Sequence, residues 1–152
     1  MLITLACVGG KPRPKDAFED LISEYLKRCV GVVRCDAEAF RTEKALLEWV
    51  SHKQGRTPPV LMLLDERGRQ MTSAALAEWL RARLDEGKQH VVFAVGPADG
   101  WSDRAREEAR RRGSLLALGP MTFAHQLARL IMAEQIYRAC TILTGHPYHI
   151  GH

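Results

Sequence analysis

Hydrophobic positions follow two rhythms along this chain. Short, near-continuous apolar runs alternate with stretches in which apolar residues recur every three or four positions. The first run is Leu2 to Val8, ending at Gly9-Gly10. Phe18, Leu21, Ile22, Tyr25, Leu26 and Cys29 then recur at helical spacing, which predicts a helix with that face toward the core. Gly31 to Cys35 predicts a short second strand. Leu46, Trp49 and Val50 mark a second helix from near Thr42, closed by Lys-Gln-Gly-Arg-Thr-Pro-Pro. Val60 to Leu64 predicts a third strand, stopped by a turn at Asp65-Glu66-Arg67-Gly68. Thr72 or Ser73 is the expected cap of a helix with face Leu76, Trp79, Leu80 and Leu84, and Gly87 its stop. Val91 to Val95 predicts a fourth strand, followed by the loop Gly96-Pro97-Ala98-Asp99-Gly100. Ser102 caps an Arg-rich helix ending at Gly113. Ser114 to Leu118 predicts a fifth strand, broken by Gly119-Pro120. A long helix from about Phe123 to Leu143 completes the pattern, with Thr122 as candidate cap and Leu127, Leu130, Ile131 and Tyr137 toward the core.

Two-sided apolar strands alternating with amphipathic helices imply an α/β domain: a mainly parallel sheet flanked by helices. No repeat, low-complexity stretch or long linker divides it, so residues 1–152 read as one domain. Ligands of such sheets sit at the carboxyl ends of the strands. The exits after Leu64, Val95 and Leu118 are therefore the places to look for a site.

Composition narrows the picture. Apolar residues make up 46% of the 152 positions, enough for a core. No apolar run approaches the roughly 20 residues of a membrane helix. The N-terminal apolar run has no basic segment before it and reads as a strand rather than a secretory leader. The four cysteines, Cys7, Cys29, Cys35 and Cys140, show no Cys-x-x-Cys spacing. They read as buried, reduced thiols of a cytoplasmic protein. A net charge of +4 permits a nucleic-acid partner without establishing one.

Candidate chemistry lies in four places. "VGPADG" is a Gly-rich exit leading to a helix N-terminus, where an anion or a closely approaching ligand is favoured; it is equally an ordinary strand-to-helix turn. No G-x-G-x-x-G or Walker signature accompanies it. On the last helix, Glu134 falls near the apolar stripe with Arg138 one turn on, and the plain reading is a surface-edge ion pair. The tail "HPYHIGH" holds His146, Tyr148, His149 and His152. No cysteine or carboxylate nearby in sequence completes a tetrahedral zinc set, and the synthetase-like "HIGH" lacks the domains that should follow it. The Arg-rich helix reads as a solvated face, with RNA-backbone contact as the minor alternative.

Several of these segments occur together in one family. "ACVGGK", "LLDERGRQMTS", "VGPADG" and "MTFAHQLARLIMAEQIYRACTILTGHPYH" resemble the bacterial 23S rRNA pseudouridine N3-methyltransferases known as RlmH, from Met1 to His149. The resemblance implies a SPOUT-class fold with a C-terminal trefoil knot. It implies bound S-adenosylmethionine, a homodimer with a shared active site, and a pseudouridine substrate in 23S rRNA of the assembled ribosome; no membrane or metal is implied. Its cofactor residues fall on Leu64, Gly96, Leu118, Gly119, Pro120, Met121, Thr122 and Phe123. Glu134 and Arg138 match its "EQxYR" block, and Tyr148 and His149 match a tail that reaches the active site across the dimer. Three departures stand out: Gly96-Pro97 where the family has two glycines, Gly-Pro-Met-Thr-Phe-Ala-His where it has Ser-x-Met-Thr-Phe-Pro-His, and Ile150 where it has Lys or Arg.

The expected chemistry is an in-line methyl transfer to an imide nitrogen, for which positioning supplies much of the rate. His149 is expected to take the proton or orient the base, Tyr148 to stack on or hydrogen-bond the uracil, and Arg138, set by Glu134, to hold a phosphate or carbonyl oxygen. Three other readings stand beside this one: a ribosome- or RNA-binding protein of the same fold with weak or lost methyl transfer, a flavodoxin-like phosphate or nucleotide binder using "VGPADG", and a zinc protein using the tail.

Overall fold

The computed structural model describes residues 1–9, 13, 15–31, 33–52 and 55–151. Five strands alternate with five helices: β1 Leu2–Val8, α1 Ala17–Lys27, β2 Arg34–Phe40, α2 Glu43–His52, β3 Val60–Gln70, α3 Ser73–Asp85, β4 His90–Val95, α4 Asp103–Arg112, β5 Ser114–Ala117 and α5 His125–Thr144. The strands form one parallel sheet in the order β2-β1-β4-β3-β5. Every step between sheet neighbours is therefore a crossover through a helix, as the apolar rhythm requires.

Side chains alternate across the sheet and build two cores. Ile3, Leu5, Met62, Phe93 and Leu116 face α1, α3 and α5 through Ile22, Leu80 and Ile136. Ala6, Leu61, Leu63, Val92 and Ala94 face α2 and α4 through Leu46, Ala105 and Ala109. Phe93 is fully buried; deleting its ring would cost about 3–5 kcal/mol. Thr72 and Ser102 cap α3 and α4 by accepting N–H bonds from Ala75 (3.0 Å) and Ala105 (3.1 Å), as their sequence positions predict. Among the described residues, no helix is long and apolar enough to cross a membrane.

Five local expectations are corrected. The second strand runs Arg34–Phe40 rather than Gly31 to Cys35: as an edge strand it carries Asp36 and Glu38, which mask it in an apolar scan. Asp65-Glu66-Arg67-Gly68 does not end β3. It forms an irregularity, after which Arg69 and Gln70 pair again with Leu116 and Ala117. Glycine is needed at 68 because a Cβ there would lie 2.5 Å from the Leu116 backbone nitrogen. Thr122 does not cap α5; the helix starts after Ala124 with no side-chain cap. The buried stripe of α5 is Met132, Ala133, Ile136, Ala139 and Cys140, leaving Leu127 at 40% exposed. Leu21 on α1 likewise points outward. Gly10, Lys53 and Gln54 lie outside the described residues.

Candidate active site

β4, β3 and β5 are neighbours, so their three carboxyl-end exits open side by side. They enclose a cleft of about 1030 Å³. Its lining includes Leu64, Gly96, Leu118, Gly119, Pro120, Met121, Thr122 and Phe123, the eight positions implied by the family resemblance. Residues from Leu64 to Ala128 thus meet in one pocket. Leu64, Leu116, Leu118 and Phe123 give it apolar wall, and the two loop backbones give it polar edges, the usual make-up of a small-molecule site.

The floor of the cleft contains three groups that the sequence reading missed. Trp101 Nε1 donates to the Leu64 carbonyl at 2.8 Å, tying the loop after β4 to the end of β3. A Cβ at Gly96 would lie 2.7 Å from the Trp101 ring, so only glycine lets Trp101 fold back against the end of β4. His125 lies 2.9 Å, through Nδ1, from the Gly96 carbonyl. A carbonyl only accepts, so Nδ1 carries the proton. Burial lowers the His125 pKa and keeps the ring neutral. Beneath the mouth, Arg106 Nε pairs with Asp65 Oδ2 at 2.7 Å, the carboxylate side chain being 2% exposed. Asp65 Oδ1 also accepts the Arg67 N–H at 2.7 Å, which fixes the irregular stretch of β3. A buried tryptophan contact and a long-range ion pair leave no periodic trace in the chain.

The second cluster sits near the other end of α5. Arg138 reaches Glu134 Oε1 through Nη2 (2.6 Å) and Nε (3.1 Å). Tyr148 O–H donates to the same oxygen at 3.0 Å. Arg138 Nη1 donates to His149 Nδ1 at 3.1 Å, and its guanidinium lies over the Tyr148 ring, 4.9 Å from the centroid. Tyr137 meets that ring edge-on at 4.8 Å. All four residues expected in the tail site are therefore in one network, and the Glu134–Arg138 pair is more than a surface-edge contact. The turn that delivers Tyr148 begins where His146 N–H bonds the Thr141 carbonyl at 2.9 Å, closing the helix end. Burial, then hydrogen bonding to Glu134, raises the Tyr148 pKa to about 12.

Arg138 has donors only, so His149 Nδ1 must accept and the neutral ring carries its proton on Nε2. The imidazole accordingly presents a donor outward. Tyr148 N–H binds His146 Nδ1 at 3.2 Å. Among the described residues, neither His146 nor His149 belongs to a three-ligand cluster; His152 lies outside them.

The tail network does not line the cleft of the same chain. Ala128 is at the cleft and Arg138 is ten residues on, about 15 Å along the helix. Between them lies a smaller cavity of about 240 Å³, which shares Gln70, Leu116, Leu118 and Gly119 with the cleft and is also lined by Ser73 and Gln135. Ser73 donates to Gln135 (2.7 Å), and Gln135 donates to Glu134 Oε2 (2.8 Å). One polar chain thus runs from this cavity to the tail.

This arrangement, a parallel sheet with its site at three neighbouring strand exits, matches a known class. Residues 1–149 match the family described as "Predicted SPOUT methyltransferase", and the chain belongs to that family. It is 45% identical over 143 residues to the ribosomal RNA large subunit methyltransferase H of Koribacter versatilis, covering 94% of both chains. It is 49% identical over 148 residues to the protein of that name in Pelobacter propionicus, covering 92% of this chain and 94% of the relative. Among solved structures, it is similar to the SpoU methyltransferase AviRb from Streptomyces viridochromogenes in complex with AdoMet. The TM-score is 0.51 at 12% identity, over 96% of this chain and 58% of that one. The chain thus spans under two thirds of AviRb, and what the two share is a fold.

Proposed function

We propose that this protein transfers a methyl group from S-adenosylmethionine to N3 of a pseudouridine in 23S rRNA of the assembled ribosome, as a homodimer in the cytoplasm. The observation that carries the reading is the cleft in which Leu64, Gly96 and residues 118–123 converge. Its relatives' name, large subunit rRNA methyltransferase, and the AdoMet complex of AviRb support the substrate and cofactor.

The residues present fit that cofactor. The cleft combines apolar walls for an adenine ring with loop backbone for polar groups, and at Gly119 the space a side chain would take is open to a ligand. Pro97 removes one N–H from that edge, so Leu118 to Phe123 would provide most of the backbone contacts. When bound, S-adenosylmethionine supplies an electrophilic methyl group on a sulfonium. The trefoil knot among these loops belongs to the same proposal.

The tail network sets up the acceptor. His149 Nε2–H donates to a uracil carbonyl oxygen, and the Arg138 charge behind it favours the imidate anion. The N3 proton leaves to water. His149 thus acts as an orienting donor, and not as the base. Tyr148, held by Glu134, offers ring surface to the pyrimidine. Because the network lies about 15 Å along α5 from its own cleft, it would serve the partner subunit's cleft. The outward-facing Leu127, with half-buried Leu130 and Ile131 beside it, supplies an apolar surface for that dimer.

The test is mass spectrometry of 23S rRNA from cells with and without the gene, together with calorimetric titration of S-adenosylmethionine. Loss of one methylated pseudouridine and one binding site per chain are expected. An unchanged modification map would overturn the reading.

A further inference from the structure

Cys29, Cys35 and Cys140 are scattered in sequence and meet in space. Their Sγ atoms all lie within 4.8 Å of one another. Cys29 follows the end of α1, Cys35 is on the edge strand β2, and Cys140 is on the buried stripe of α5. Cys29 and Cys140 are 8% and 4% exposed, and Cys35 is half-buried. All three are free thiols, and none lines the cleft or joins the tail network.

We propose that Cys29, Cys35 and Cys140 form a three-thiolate site for one thiophilic cation, Cu(I) in trigonal coordination. The spacing is the first reason. A metal about 2.3 Å from each of three sulfurs sets them about 4 Å apart, so small side-chain rotations complete the site. Ligand type is the second. An all-sulfur set selects soft cations over Mg(II) or Ca(II). Donor count is the third. Among the described residues, no histidine nitrogen or carboxylate oxygen joins the group. Three donors satisfy Cu(I), whereas Zn(II) must recruit a water as fourth ligand.

Binding expels the thiol protons of all three ligands to solvent. Cys35, the most accessible, gives the entry path. A bound cation would tie the end of α1 to β2 and α5.

The test is anaerobic titration of the reduced, metal-free full-length protein with Cu(I), in competition with a chromophoric Cu(I) chelator; a parallel arm uses Zn(II) with a zinc indicator. The expected result is one tightly held Cu(I) per chain, a thiolate-to-metal charge-transfer band in the ultraviolet, and a raised Tm. Cys35→Ser weakens binding at least tenfold, while Cys7→Ala, outside the cluster, retains it. Circular dichroism checks that each variant is folded, and Cys29→Ala repeats the test should Cys35→Ser unfold. Absence of a one-to-one complex, its survival in a folded cluster variant, or tighter retention of Zn(II) than Cu(I) overturns the proposal. So does a disulfide, seen as a loss of two mass units with no metal bound.

Discussion

Arg138 Nη1 donates to His149 Nδ1 at 3.1 Å, and this one bond decides the tautomer of the tail histidine. With Nδ1 occupied, the outward nitrogen is a donor. His149→Ala is expected to lower single-turnover methylation of ribosomes about 100-fold, the usual cost of a lost donor to a developing anion. His149→Gln, which keeps an N–H, should recover a substantial part. Equal loss in both variants would instead favour a base.

Tyr148 makes the protein's stability depend on alkaline pH. Its folded-state pKa is raised from 10.0 to about 12, so folding favours the neutral phenol. That contribution is complete below pH 10 and is lost as pH rises toward 12. Tyr148→Phe lacks a titrating phenol. The Tm gap between wild type and variant should therefore shrink across that window in a pH-resolved thermal scan.

His125 acts at the opposite end of the scale. Burial lowers its pKa below the ordinary 6.5, so the unfolded chain binds the proton more readily. The resulting stability is present above pH 6.5 and falls as the solution is acidified through the folded-state pKa. His125→Gln, which keeps a donor for the Gly96 carbonyl, should flatten the acid limb of the stability profile.

Gly96→Ala forces a methyl group toward the Trp101 ring, 2.7 Å away. The expected cost is about 2 kcal/mol, a fall of roughly 4–8 °C in Tm. S-adenosylmethionine affinity should fall as well, since the same contact shapes the cleft. Calorimetry and a melting curve read the two effects separately.

Leu127 is exposed on the helix proposed to meet a partner subunit. Leu127→Glu should leave the circular dichroism spectrum intact, shift the mass in light scattering from dimer to monomer, and reduce methylation at least tenfold. A dimer of unchanged mass would place the interface elsewhere.

The apolar rhythm located four of the five strands and all five helices, because each buried element must repeat with its own period. Thr72 and Ser102 were legible as caps for a local reason: a hydroxyl needs only the N–H three residues on. β2 was displaced because an edge strand can carry Asp36 and Glu38 at no cost. The continuation of β3 past Gly68 depends on Leu116, far along the chain, and nothing local announces it. Leu127 was assigned inward because helical spacing does not say which of two apolar arcs meets the sheet. The cleft was legible through the rule that strand exits gather ligands, and the residue detail came from the family resemblance. Trp101, the Asp65–Arg106 pair and the cysteine cluster arise from tertiary contacts alone.

α5 bears the cleft contacts on its first turn and anchors the tail network in its second half, from Glu134 to Arg138. A rigid helix couples distance to angle: each added residue lengthens it by about 1.5 Å and turns its end by about 100°. The stretch between Ala128 and Arg138 is therefore a gauge with a fixed phase. Most insertions or deletions there would present Arg138 and the tail in the wrong direction, even with every contacting side chain preserved. The ten-residue interval is as much a part of the proposed catalyst as the groups at its two ends.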